Sequence, residues 1–169
     1  MNLKEYSKIV DETAIYPQEV KHFGVAYTLI GMFDEMNEYM EKIAEGNKHT
    51  KEEIDAERFD VIWYICAFCK EVGLDFPEII KDGMLKEPPM ENELETDINP
   101  FRLFGLVKKY YRDNKELDKE KVTSMLISFV STILEGLSSK EVKEGLQANY
   151  DKLIDRRERN VVSGDGDNR

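Results

Sequence analysis

Histidine, cysteine and tryptophan are scarce in this chain, with two, two and one among 169 residues. His22 and His49 lie far from any nucleophile motif. There is neither a Gly-x-x-x-x-Gly-Lys-Ser/Thr phosphate loop nor a Gly-x-Ser-x-Gly elbow. Covalent nucleophilic catalysis is therefore not expected. The two cysteines form a lone Cys66-Ala-Phe-Cys69 in an apolar helical stretch. Such a pair can be a redox motif or half a zinc site, but without a second pair or a nearby histidine it reads as two small buried hydrophobes. No apolar run approaches the ~20 residues needed to span a bilayer, and the first residues lack a secretory apolar segment. The expectation is a cytoplasmic protein that does not enter membranes. Positive charge is also in short supply. A formal net charge of −11 and a pI near 4.8 disfavour binding to nucleic acid or to an anionic membrane surface.

Strand-like alternation is absent too, and the chain reads as all-α. Residues 17–44 place Phe23, Ala26, Tyr27, Ile30, Phe33, Met40 and Ile43 at helical spacings, with Pro17 in the first turn and Gly46-Asn47 as the stop. Thr50 and Glu53 form a capping box for a second helix ending near Val72 and Gly73. A short helix follows over 76–84. Residues 86–99, with Pro88-Pro89 and many acids, read as an exposed loop. Helices are expected over 100–113, 119–137 and, capped by Ser138 or Ser139, on to about 159. The tail 161–169 has no regular pattern. At this length one domain, 1–169, is expected.

Two acidic pairs stand out, Glu35-Met-Asn-Glu38 and Glu57-Arg-Phe-Asp60. An i, i+3 spacing on a helix projects two carboxylates from one face, about 60° apart. Both pairs border apolar stretches, and the 18 residues between Glu38 and Glu57 suffice for an antiparallel hairpin that sets the pairs side by side. Four carboxylates at the edge of a core repel one another, and a hard divalent cation relieves that repulsion. The residues alone leave a metal centre and a solvated acidic face as open alternatives. Asp34 and Glu41 read as surface or rim charges. Near the C-terminus Asn149, Lys152, Arg156 and Arg159 share a helix face. Lys and Arg there suit a polyphosphate, or else complement the helix dipole. Trp63, Phe33 and Tyr27 could stack on a base, but aromatics at this spacing usually belong to a core.

The run Gly31-Met-Phe-Asp-Glu-Met-Asn-Glu38, followed by Glu57-Arg-Phe-Asp-Val-Ile-Trp-Tyr64, resembles the Glu-x-x-Glu … Glu-x-x-Asp signature of MazG-like all-α nucleoside triphosphate pyrophosphohydrolases. Thr13-Ala-Ile-Tyr-Pro17, Asn149 to Arg159 and the closing Gly164-Asp-Gly-Asp-Asn-Arg169 are similar to the ends of short, single-domain members from bacteria and phages. The resemblance covers about 1–80 and 138–169. It leaves 86–137 to be read as an insertion of two helices in a MazG-like bundle, and Asn160 stands where those relatives usually have Gly.

The resemblance implies Glu35, Glu38, Glu57 and Asp60 as ligands of Mg²⁺, with Mn²⁺ as a substitute, and hydrolysis of a (deoxy)nucleoside triphosphate to the monophosphate and pyrophosphate. Glu38 is the choice for accepting the proton of water. Lys152 and Arg156 are expected on the outer phosphates, Asn149 on the nucleotide, and Arg169 on phosphate through the closing tail. Relatives complete their core across a subunit interface, so a homodimer or homotetramer is implied. The alternatives are another pyrophosphate-bearing substrate, dUTP or phosphoribosyl-ATP, or a non-catalytic helical module that uses the acidic face for partners.

Overall fold

A computed structural model of the chain describes residues 1–14, 23–79 and 101–159. Regular structure among them is entirely helical, with α1 Leu3–Thr13, α2 Phe23–Ala44, α3 Lys51–Glu71, α4 Phe76–Ile79, α5 Arg102–Asp113, α6 Lys119–Ile133 and α7 Ser139–Glu158. The expected all-α fold is what forms. None of the helices is long and apolar enough to cross a membrane among these residues.

The first helix, α1, was not foreseen. Its start is encoded by Asn2 and Glu5, each of which accepts from the other's backbone N–H at 2.9 Å. That reciprocal cap satisfies two of the donors a helix N-terminus leaves open. Leu3, Tyr6, Ile9 and Val10 then bury one stripe. Capping boxes at Thr50/Glu53 and Ser138/Glu141 start α3 and α7 where the sequence places them. Helix α6 stops at Ile133, four residues before the expected end at 137, because Gly136 takes a φ of 79° and turns the chain. Of the expected helix 17–44, residues 17–22 lie outside the described residues. So do the loop 86–99, the tail 161–169 and most of 76–84.

Helix α3 is the axis of the fold. From Val61 to Cys69 every side chain except that of Tyr64 is buried. A helix apolar on all sides requires neighbours on all sides, and α3 packs against α1, α2, α4, α6 and α7. The most extensive pairing is the α2–α3 hairpin. Glycines let it close. A Cβ on Gly31 would lie 2.2 Å from the Tyr64 ring, and one on Gly24 2.1 Å from the Glu71 carboxylate.

Cys66 and Cys69 are free and fully buried in this axis. Burial pushes the Cys66 thiol up to about 12 and raises that of Cys69 as well, which keeps both protonated and unreactive. Trp63 is core as well, and its indole N–H donates to Thr13 Oγ1 at 2.9 Å. Phe33 stacks on Phe101, with ring centroids 5.1 Å apart, and lies 6.0 Å from the Phe129 ring. Helices α5 and α6, within the segment read as an insertion, contribute Leu103, Val107, Val122, Leu126, Phe129, Val130 and Ile133 to the same core as α1, α2, α3 and α7.

Candidate metal centre

The hairpin brings together three of the four expected carboxylates. Oxygens of Glu35, Glu57 and Asp60 all lie within 4.8 Å of one another. Gly31 is one turn before Glu35 on α2, and Tyr64 is one turn after Asp60 on α3. The close approach of Gly31 to Tyr64 therefore sits beside the acidic group and sets its width. Glu57 is 2 % exposed, the most secluded of the three, while Glu35 and Asp60 are half-buried. Glu38 is not part of the group. It projects from the exposed side of α2, close enough for its charge to be felt at Glu35.

Three acids this close are costly to ionise together. The carboxyl of Glu35 is pushed up to about 8, mainly by burial, then by the charges of Asp60, Glu38 and Glu57 in that order. The other two are neutralised by lysines from two different helices. Lys42 of α2 donates to Glu57 Oε1, and Lys152 of α7 donates to Asp60 Oδ2.

Asp60 is further fixed by a buried relay. The Asn149 side-chain amide donates to Asp60 Oδ1 at 2.6 Å. Its own oxygen accepts from the Tyr6 hydroxyl at 2.5 Å, and that hydroxyl also lies 3.3 Å from the Phe59 carbonyl oxygen. Tyr6 is fully buried, and Asn149 is 4 % exposed. A phenol that donates to the amide oxygen dictates which way the amide faces, and so presents the NH₂ to Asp60. Burial, followed by the charge of Asp60, holds the Tyr6 phenol well above its ordinary range, so it remains a donor.

Lys152, expected on the outer phosphates, and Asn149, expected on the nucleotide, both bind Asp60 in the structure. Arg156 lies a turn beyond Lys152 on α7 and is buried, with 7 % exposure. Arg169 is outside the described residues. Asp34 and Glu41 are exposed, and Glu41 accepts from the Asn37 amide at 2.7 Å. Sequence reasoning missed Tyr6 and Lys42. The first sits on the unforeseen α1. The second was legible, since seven residues after Glu35 it returns to nearly the same side of α2.

A cleft of about 560 Å³ opens beside the centre, between the first half of α3 and α7. Ala56, Phe59, Gly145 and Ala148 give it an apolar floor, Asn149 and Lys152 are shared with the acidic group, and Lys51 with the carboxylates of Glu52, Asp55, Glu141 and Glu144 lines the remainder. Gly145 is required there, because a Cβ would stand 1.9 Å from the Phe59 ring. The donor set fits a hard cation, with oxygen ligands only and partial burial, provided the ion takes over the neutralisation that the two lysines and the Glu35 proton supply. No protein-family model, curated protein or solved structure matches this chain.

Proposed function

We propose that the chain is a MazG-like, magnesium-dependent hydrolase of the cytoplasm that converts a nucleoside or deoxynucleoside triphosphate and water into the monophosphate and pyrophosphate. One observation carries the reading: three carboxylates converge within 4.8 Å at the edge of a core, and the lysine and asparagine that bind one of them, Lys152 and Asn149, also line a neighbouring cleft. An acidic face that served only for solubility would gain nothing by crowding its charges into partial burial, where each costs more to ionise.

Glu35, Glu57 and Asp60 would hold the magnesium. Bound there, it would supply neutralisation of the triphosphate and a more acidic water. The chain's own groups then have separate tasks. Glu38, at the solvent edge, accepts the proton of the attacking water. Lys152 moves from Asp60 to the outer phosphates, Arg156 adds a second cation on the same helix, and Asn149 contacts the nucleotide. The apolar floor of the cleft excludes water from one side of the bound substrate. The exposed Ile30, Met40 and Ile43 of α2 offer an apolar surface for the subunit contact of a homodimer or homotetramer.

The test is a panel of the eight common NTPs and dNTPs, with dUTP added, scored for pyrophosphate with magnesium and with chelator. Magnesium-dependent release from at least one nucleotide is expected. Asp60→Asn, which keeps the shape and removes a charged ligand, should lower turnover by two or more orders of magnitude while the far-ultraviolet circular dichroism stays helical. Full activity in that variant would refute the assignment of the site.

A further inference from the structure

We propose that Lys42 competes with a divalent cation for Glu57 and thereby sets how tightly the acidic centre holds metal. The proposal rests on the metal reading above and extends it, since it gives a task to a cation that substrate binding does not use.

Glu57 is the most buried of the three carboxylates, so its charge most needs a partner. The partner in the structure is the Lys42 ammonium on Oε1. An ammonium that donates to a carboxylate oxygen and a metal ion ligated by the same group are alternative neutralisers of one charge. Lys42 and Lys152 together place two positive charges on the cluster, the charge of one divalent ion.

The two lysines are not equivalent. Lys152 shares Asp60 with Asn149, whose amide keeps that carboxylate oriented whether or not the lysine stays. Lys42 reaches the secluded Glu57 from the rim. Its side chain retains 18 % exposure, against 3 % for that of Glu57. A four-carbon stem anchored at the rim can swing outward without disturbing the core.

Lys42 also has somewhere to go. Glu53, one turn before Glu57 on α3, is exposed and already feels the Lys42 charge. Lys42 can therefore turn from Glu57 toward Glu53 and keep a countercharge. Such an exchange makes the centre selective. A divalent ion offers Glu57 more than the ammonium does, and a monovalent ion does not.

The measurement is Mn²⁺ binding to the purified full-length chain, read from the loss of the free-Mn²⁺ electron paramagnetic resonance signal. It is compared for the wild type, Lys42→Met, Lys42→Gln, Lys42→Arg and Glu57→Gln, each checked for folding by circular dichroism in chelator. Removing a unit charge this close to the ligands should tighten Mn²⁺ binding by about tenfold or more in the Met and Gln variants. Lys42→Arg, which keeps the charge, should stay within about threefold of wild type on the same ground. Glu57→Gln should bind far more weakly. Unchanged or weaker binding in both Lys42→Met and Lys42→Gln would overturn the competition while leaving the metal site intact. Failure of the wild type and both neutral variants to bind Mn²⁺ at millimolar concentration would overturn the metal reading itself, and this proposal with it.

Discussion

At the scale of single residues, Glu35 shows what crowding acids at the edge of a core does to stability. Its carboxyl is raised from 4.5 to about 8 by burial and by three neighbouring acids. The folded chain therefore holds this proton where the unfolded chain releases it. The stabilising contribution of that proton is full below 4.5 and is lost as the pH rises through about 8. Chemical denaturation in chelator should accordingly show stability falling between pH 5 and pH 8, by on the order of a few kcal/mol at most. Glu35→Gln should flatten that fall, since the amide mimics the protonated acid without titrating. Parallel profiles for wild type and variant would show that Glu35 ionises normally. The acids themselves were legible, because an i, i+3 pair beside an apolar run has few places to point. The hold on Asp60 was not legible. Tyr6 and Asn149 are 143 residues apart and meet in a 2.5 Å hydrogen bond, and no local pattern announces such a pairing.

At the scale of helices, the geometry of the centre depends on how closely α2 approaches α3. Gly31→Ala forces a methyl group to within 2.2 Å of the Tyr64 ring, so the ring or the helix must shift. The expected cost is about 1–3 kcal/mol of stability, in spite of the better helix propensity of alanine. Gly105→Ala in α5 meets nothing within 4 Å and should be neutral or stabilising by about 0.5–1 kcal/mol. Urea denaturation of the two variants decides the matter. Equal tolerance at both positions would mean that the α2–α3 contact is not set by Gly31.

Helix positions followed closely from caps and stops, because a capping box is a local device. Thr50, Glu53, Ser138 and Glu141 lie three residues apart in pairs and need no tertiary partner. Helix α1 carries the same signal in Asn2 and Glu5, but its many charges obscured the stripe of Leu3, Tyr6, Ile9 and Val10. What spacing could not reveal is that α5 and α6 share the core of the hairpin. Which helix covers which is decided by three-dimensional packing, and the apolar stripe of α6 fits more than one partner.

At the scale of the whole molecule, the fold reads as a scaffold around one buried axis. Helix α3 is apolar from Val61 to Cys69 and charged through most of its first half, and the acidic centre sits at the changeover between Glu57 and Val61. The same helix therefore anchors the core and holds Glu57 and Asp60 at its edge without leaving them in open water. The proposed reaction has this centre direct water to the α-phosphorus of a nucleoside triphosphate. The most direct test is hydrolysis in ¹⁸O-labelled water with magnesium, with products separated and weighed by mass spectrometry. One labelled oxygen in the nucleoside monophosphate, beside unlabelled pyrophosphate, is the result this account predicts. Label confined to orthophosphate with a nucleoside diphosphate as co-product, or no hydrolysis of any nucleotide, would contradict it.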